Sequence, residues 1–416
     1  MKVHLRTFGC RANQYDSEQM RAMFERAGAE IVADAADADV AVFNSCAVTS
    51  DAEADLRQAV RRAARGRPGL RTVITGCAAA RSGSALAELP SVEGVIAGAD
   101  LPAVAAALGL PPGAGFGTAE AQRGARGLLR VQDGCDEHCT FCATTLARGA
   151  HRSRTADALV AEATALAGHH EEIVLTGVHV GSWGKEFGIS LGALLGRLVR
   201  DVPTVRFRLA SVEATEVDAE LAELLRDGGS RVCPYLHAPL QSASDSLLRR
   251  MGRLWYTGAS YARAIERLMA GRPTFGLGAD IVAGFPGETE ADHAATLALV
   301  RDLPFTHLHV FPYSPRPGTA ALRLGDAVSP ALARERAAEL RALGEAKGAA
   351  YRASRVAGPA EVVVISGAPR RDGLTEDYLP VTVEGTAARG SRFRALLEAG
   401  PAGSLLIRPP SPHPRA

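Results

Sequence analysis

The sequence predicts an α/β protein in three parts: an amino-terminal parallel α/β sheet domain, a central partial (βα)6 barrel and a small carboxy-terminal β-barrel. Three observations carry this expectation. Short β-rich runs alternate with helical stretches over most of the chain, which is the order of a parallel sheet. A Gly- and Pro-rich stretch interrupts the alternation once. Beyond Arg352 the pattern changes to short strands between Gly turns, the mark of a small all-β module.

In the first part KVHLRTFG, DVAVFNS, RTVITG and GVIAG are the strands, separated by segments such as NQYDSEQMRAMFERAG. From Leu110 to Gly127 the composition (LPPGAGFG, then QRGARG) breaks helix and strand alike and reads as a linker. LLRVQD, EIVLTGV, VRFRLAS, YLHAPLQ, LGADIVAGF and HLHVFPY then alternate with helical segments such as TADALVAEATALAG and EADHAATLALVRDL. Six such units are fewer than the eight of a complete barrel. A helical stretch covers Pro330 to Arg352, and EVVVISG, DYLPVTVEG and SLLIRPP are strands of the closing module. The expected domains are 1–110, 121–345 and 346–416.

At 416 residues the chain suits two or three domains. Hydrophobic residues at 47% and charged residues at 22% exclude a disordered or fibrous protein. No run approaches the ~20 apolar residues of a membrane span, and MKVHLRTFGC lacks the marks of a signal peptide. A cytoplasmic location with no membrane partner is the expectation. With 47 basic against 46 acidic residues, bulk charge does not announce a nucleic-acid binder, so any such role must rest on local patches. The seven cysteines read as metal ligands, catalytic thiols or core residues, not as a disulfide framework.

Cys135, Cys139 and Cys142 stand in DGCDEHCTFC, a C-x3-C-x2-C spacing after the first strand of the expected barrel. Three thiols within eight residues converge on one small site. A closed zinc site needs a fourth ligand, for which only His138 is close in sequence. Three ligands on an iron–sulfur cube leave one iron open to a substrate, and the end of a barrel strand is where barrel active sites lie. Cys10, Cys46 and Cys77 each end an apolar β-run (HLRTFGC, VAVFNSC, TVITGC), spaced by about one βα unit of roughly 30 residues. In a parallel sheet, equivalent strand ends face one crevice, so these thiols gather there, whereas three unrelated core cysteines would not share that position. Cys233 stands alone in RVCPYLHAPLQS and reads as a buried strand residue.

GCDEHCTFC followed by ARGAHRSR resembles the radical S-adenosylmethionine signature of the methylthiotransferase family. The resemblance extends over nearly the whole chain, through TFGCRANQYDSE, NSCAVTSDAEADLRQAVRR, VITGCAA, CPYLHAPLQSAS, DIVAGFPGET and FPYSPRPGTAA. NQY-D-S-E after Cys10 and SPRPGTA are most similar to the branch that modifies threonylcarbamoyladenosine beside the anticodon. Two departures stand out: Ala143, Thr144 and Thr145 replace two aliphatics and a Pro, and Ala243 replaces a Gly.

The resemblance implies two 4Fe–4S clusters, one on Cys135, Cys139 and Cys142, the other, auxiliary, on Cys10, Cys46 and Cys77. It implies S-adenosylmethionine bound at the open iron and cleaved to a 5'-deoxyadenosyl radical, a second molecule methylating a sulfur on the auxiliary cluster, and methylthio transfer to C2 of the adenine. Its partners would be tRNA, an electron donor and a sulfur donor. An ordinary acid or base cannot activate an aromatic C–H bond, which is why radical chemistry is needed.

Gly177, Ser211, Glu213 and Gly284 lie at strand ends and are candidate cofactor contacts; as simple turn glycines and surface polar residues they would need no such role. Arg148, Arg152 and Arg154 follow the loop and could meet the cofactor carboxylate or RNA phosphate, with Arg148 the first candidate for the cofactor. Arg57, Arg61 and Arg65, with Arg62 nearby, share one helical face that is either solvated or an RNA contact. From Glu345 onward 10 Lys/Arg oppose 7 Asp/Glu, and GLTEDYLPVTV resembles the RNA-binding β-barrel ending many of these enzymes. The alternatives to the threonylcarbamoyladenosine reaction are the isopentenyl-adenosine reaction, a ribosomal-protein aspartate reaction, and a non-catalytic iron–sulfur RNA-binding protein.

Overall fold

A parallel sheet whose central strands are buried organises the first part of the chain. The computed structural model describes residues 1–47, 50–111, 121–272, 274–367 and 371–410. Of the expected linker from Leu110 to Gly127, residues 112–120 lie outside the described residues. Strands β1 (Lys2–Thr7), β2 (Glu30–Val32), β3 (Val40–Ser45), β4 (Arg71–Gly76) and β5 (Val92–Ala97) form one parallel sheet in the order β2-β1-β3-β4-β5. β2 has no counterpart in the sequence reading, because three residues are too few to show a period.

Every residue of β3 is buried, as expected for a strand covered from both sides. On one face Met20, Met23 and Phe24 of α1 (Arg11–Arg26) pack with Val3, Val40, Val42 and Val73. On the other, Leu56 and Val60 of α2 (Ser50–Gly66) and Leu86 of α3 (Cys77–Ala87) pack with Phe43 and Ile74. Each large side chain buried this way contributes about 1.5–3 kcal/mol. α4 (Leu101–Ala107) closes this part, its first turn capped by Asp100.

The described chain folds as two compact units. The first joins the amino-terminal sheet to residues Gln132–Arg152 and Ser314–Leu322; the second holds Ala121–Val131, Ser153–Tyr313 and the chain from Arg323 onward. The C-x3-C-x2-C loop, expected with the central domain, thus packs with the amino-terminal sheet. Its helix α5 (Thr144–Arg148) lies against α3. Two-residue strands β7 (Gln132–Asp133) and β8 (Arg152–Ser153) flank that loop in sequence.

In the second unit β6 (Gly127–Arg130), β9 (Glu172–Thr176) and β10 (Arg206–Leu209) pair in parallel, as do β11 (Tyr235–His237), β12 (Gly276–Ala283) and β13 (His307–Pro312). Parallel bridges Phe207↔Val232 and Ser211↔His237 link the two triplets, giving an open six-stranded half-barrel. The sequence starts its helices cleanly. α6 (Ala156–Ala167), α7 (Leu191–Asp201), α8 (Ala219–Asp227), α9 (Asp245–Arg250), α10 (Gly258–Met269) and α11 (Glu290–Asp302) are capped by Thr155, Ser190, Asp218, Ser244, Thr257 and Thr289. Each such side chain accepts a backbone N–H that the helix leaves unpaired, for about 1 kcal/mol.

After α12 (Pro330–Arg355) the chain closes into a barrel, β14 (Pro359–Val364), β15 (Asp372–Thr375), β16 (Pro380–Val383), β17 (Arg392–Ala399) and β18 (Leu405–Ile407), in the order β14-β15-β16-β18-β17. Val362, Val364, Val381, Val383, Leu397, Leu405 and Ile407 fill it. β15 and β17 were not among the expected strands, since DGLT is short and β17 is rich in arginine. This barrel is keyed into the half-barrel. Arg206 reaches the Glu361 carbonyl at 2.9 Å, Arg208 the Thr375 carbonyl at 2.8 Å, and Tyr235 stacks on Tyr378 at 4.4 Å. Both arginines also grip the fully buried Glu172, at 2.5 and 2.8 Å. Cys233 is buried beside it, its thiol pushed up to about 12 by burial. No helix among the described residues is long and apolar enough to cross a membrane.

Candidate metal centre

Cys10 follows β1 at the start of α1, Cys46 follows β3, and Cys77 opens α3 directly after β4. Because β1, β3 and β4 are sheet neighbours, the three chain ends are adjacent. Asn13, one turn into α1, organises them. Its amide donates to the carbonyls of Phe8 at 2.9 Å and Ser45 at 2.8 Å. Its Oδ1 lies 3.9 Å from Cys10 Sγ and 3.8 Å from Cys77 Sγ. Two glycines are obligatory here. A Cβ on Gly9, at φ +91°, would strike the Cys46 side chain; one on Gly76, at φ +93°, would come within 2.5 Å of Asn44 Oδ1 and the Ser45 carbonyl. Burial pushes the Cys77 thiol up to about 11, against the pull of Arg148. Cys10 and Cys77 stand at the positive amino-terminal ends of α1 and α3.

The second triad sits on a loop held by its own backbone. Cys135 N–H donates to the Gly149 carbonyl at 3.1 Å and Cys142 N–H to the Cys139 carbonyl at 3.1 Å. Gly134, at φ +71°, lies so close under the Ala150 carbonyl that no side chain fits. Thr144 N–H, at the start of α5, points at Cys142 Sγ at 3.4 Å, so the helix forms despite the Ala-Thr-Thr departure. His138 is exposed.

Arg148, the candidate for the cofactor carboxylate, faces the amino-terminal triad instead. Its guanidinium binds Asn13 Oδ1 at 2.7 Å, Asp16 at 2.7 Å and Asp133 at 3.0 Å. Burial opposes its charge, but Asp16, Cys77 and Asp133 overcome that and hold it firmly protonated. Its guanidinium is thus engaged by three side chains. Arg81 on α3 senses Cys142 and Cys77 together, a thiol from each triad, and donates to the Pro317 carbonyl. The SPRPGTA strap binds both cysteine regions: Arg316 donates to the Ala47 carbonyl at 2.6 Å, and Ala321 N–H to the Thr140 carbonyl at 2.8 Å. Asn13, Asp16, Arg81 and Asp133 were missed. Their signal was present: N and D at helical spacing after Cys10, and an arginine one turn after Cys77.

In the second unit Gly177, Ser211, Glu213 and Gly284 all follow strand ends, of β9, β10 and β12. Glu213 is buried and paired with Arg253, yet its Oε2 has no hydrogen-bond partner among the described residues. Burial raises its carboxyl above the usual range, against Arg253. Gly284, at φ +76°, donates its N–H to Glu288 at 2.7 Å, and a Cβ there would strike Ala333. Packing by itself thus explains that glycine. Arg154 is tied to Glu162 at 2.5 Å, while Arg152 is exposed. Arg61, Arg62 and Arg65 are exposed on α2; Arg57 is half-buried and touches the Ala85 carbonyl at 3.4 Å.

The thiol sets fit iron–sulfur cubes and not a single ion. Tetrahedral zinc would draw its sulfurs to about 3.8 Å from one another. Among the described residues neither triad draws all three sulfurs even within 4.8 Å. Three thiols per set, flanked by helix N-termini, N–H donors and arginines, suit a bulky anionic cluster. Fold and thiols together define an iron–sulfur enzyme of the radical type.

Comparison with known proteins agrees. Residues 2–98 match the model described as Uncharacterized protein family UPF0004, and residues 129–300 match the Radical SAM superfamily. The threonylcarbamoyladenosine tRNA methylthiotransferase MtaB of Thermotoga maritima is 35% identical over 80% of this chain and 80% of its own; that of Aquifex aeolicus is 31% identical over 95% and 100%. The tRNA-2-methylthio-N(6)-dimethylallyladenosine synthase of Parafrankia sp. is 34% identical over 97% and 85%. The radical S-adenosylmethionine methyltransferase TsrM of Kitasatospora setae, solved with cobalamin and a [4Fe-4S] cluster, has a similar fold, with TM-score 0.58, 17% identity and coverage of 77% and 76%. The chain belongs to the radical S-adenosylmethionine methylthiotransferase family. Its cofactors are S-adenosylmethionine and 4Fe–4S clusters.

Proposed function

We propose that this enzyme adds a methylthio group to C2 of N6-threonylcarbamoyladenosine beside the tRNA anticodon, with Cys135, Cys139 and Cys142 holding the radical cluster and Cys10, Cys46 and Cys77 an auxiliary one. The observation that carries the two-cluster reading is Arg148. It leaves the radical loop and is buried on Asn13, Asp16 and the surroundings of Cys77. When bound, the clusters and S-adenosylmethionine supply the electron, the 5'-deoxyadenosyl radical and the sulfur.

The chain's own residues do the rest. Asn13 fixes the spacing of Cys10 and Cys77, Gly9 and Gly76 let the strand ends approach, and Arg148 and Arg81 supply positive charge beside anionic clusters. The unpartnered Oε2 of Glu213 supports a contact to the cofactor's cationic amino group, and Gly177 and Ser211 at neighbouring strand ends support the same role. The carboxy-terminal barrel, with Arg389 and Arg394 exposed, is a grip for RNA phosphates. A cytoplasmic enzyme served by an electron donor and a sulfur donor completes the reading.

The test is a nucleoside assay of tRNA from a strain lacking the gene, alongside the anaerobically reconstituted protein. Loss of the methylthio form of threonylcarbamoyladenosine, restored by the gene, is expected. Loss of the isopentenyl form instead would reassign the substrate. Failure of the purified protein to make 5'-deoxyadenosine under reducing conditions would leave only a non-catalytic iron–sulfur RNA-binding protein.

A further inference from the structure

We propose that His237, Asp280 and His309, inside the half-barrel, form a separate mononuclear site for a divalent first-row metal, zinc or ferrous iron. The three residues stand on adjacent strands β11, β12 and β13, with Asp280 directly opposite His309 and His237 opposite Gly278 in the ladder. One donor atom from each residue lies within 4.8 Å of the other two, and no other His, Cys, Asp or Glu group among the described residues is so tight. None of the three belongs to either cysteine triad.

The distances suit a metal. Asp280 Oδ1 is 3.1 Å from His237 Nε2 and 3.3 Å from His309 Nδ1. A tetrahedral ion with ligand bonds of about 2.05 Å spaces its donors by about 3.3 Å. Both carboxylate–imidazole separations already match that spacing, and the two imidazole nitrogens lie within 4.8 Å of each other. Two imidazoles and one carboxylate also form the donor set of open non-haem iron sites.

The surroundings orient the ligands. The far nitrogen of His237, Nδ1, faces Tyr235 Oη at 3.5 Å, an outer contact of the kind that fixes ring orientation in metal sites. Gly278 makes room for the rings: a Cβ there would come within 2.6 Å of His237 Nδ1 and strike His307. His307 itself is excluded as a ligand, since its Nε2 faces Tyr235 Oη at 3.3 Å and its ring stacks on Tyr378. The side chains of Asp280 and His309 are 28% and 53% exposed, which gives an ion a way in.

The competing account is a purely hydrogen-bonded His–Asp–His ladder. The test dialyses the anaerobically reconstituted holoenzyme against micromolar zinc chloride and counts zinc and iron per chain by elemental analysis. One zinc per chain is expected with iron unchanged, and at least tenfold weaker zinc binding in Asp280→Asn and in His309→Ala. His309 is half exposed, so His309→Ala keeps the fold if Asp280→Asn does not, as thermal melts would show. No zinc above background in the wild type, equal zinc in folded variants, or zinc uptake matched by iron loss would each overturn the site.

Discussion

Replacing Arg148 with Met tests the assignment of this residue most sharply. The side chain is 6% exposed and its partner Asp16 1%, so removing the guanidinium strands a carboxylate away from water. Breaking a buried pair from one side costs about 3–5 kcal/mol. Asp133, at 19% exposure, can rehydrate and adds little. With a urea slope of about 2 kcal/mol per molar, a loss of ~4 kcal/mol lowers the unfolding midpoint by ~2 M. Arg148→Lys should fall between, because an ammonium keeps the charge but cannot fork to two carboxylates and an amide at once. Arg148→Met with Asp16→Asn should recover most of the loss, since no charge is then left buried. Iron uptake should also fall, because the Cys77 thiol loses the cation that opposes its burial. The assays are urea unfolding of the reduced apoprotein by circular dichroism, and iron counting after reconstitution. A midpoint within ~0.5 M of wild type, or no recovery in the double variant, would refute the reasoning.

Three further outcomes are expected. Glu172→Gln should destabilise the protein by about 3–5 kcal/mol, leaving Arg206 and Arg208 buried without their shared carboxylate. Burial would raise the Glu172 carboxyl, but Arg208 and Arg206 hold it far below the usual range. Its stabilisation is therefore complete above the unfolded value of about 4.3 and is lost as pH falls through the lower folded value, so the Gln variant should lack that acid-side loss in urea midpoints. Changing Cys10, Cys46 and Cys77 together to Ala should roughly halve bound iron if both clusters hold four irons. Reductive cleavage of S-adenosylmethionine should survive while methylthio transfer stops, and unchanged iron would sink the ligand assignment. Charge reversal at Arg389 and Arg394 should weaken tRNA binding and reduce its salt slope by ~1 per lost phosphate contact, measured by filter binding at several salt concentrations. Substitution is the right probe here. Cutting the tail off near Arg355 would also remove the Glu361 and Thr375 partners of Arg206 and Arg208.

What the sequence by itself determined is what nearest neighbours along the chain can encode. Hydrophobic alternation located nearly every long strand, because periodicity acts within a few residues, and the Ser, Thr or Asp that caps α4 and α6 to α12 is a signal of the same short range. Cysteine spacing identified both triads for the same reason: eight residues cannot stray far, and one βα unit returns the chain to the same edge of a parallel sheet. Short β2 and β15 escaped because three or four residues carry no period. Only the tertiary structure decided where long side chains end. Arg148 reads from the sequence as a candidate for the cofactor, and only the folded loop shows its guanidinium on Asn13 and Asp16. Nor does the sequence show that Gly284 packs so closely on Ala333 that a side chain there would clash. His237, Asp280 and His309 are far apart in the chain and meet through strand register, which depends on packing across the whole half-barrel and leaves no local trace.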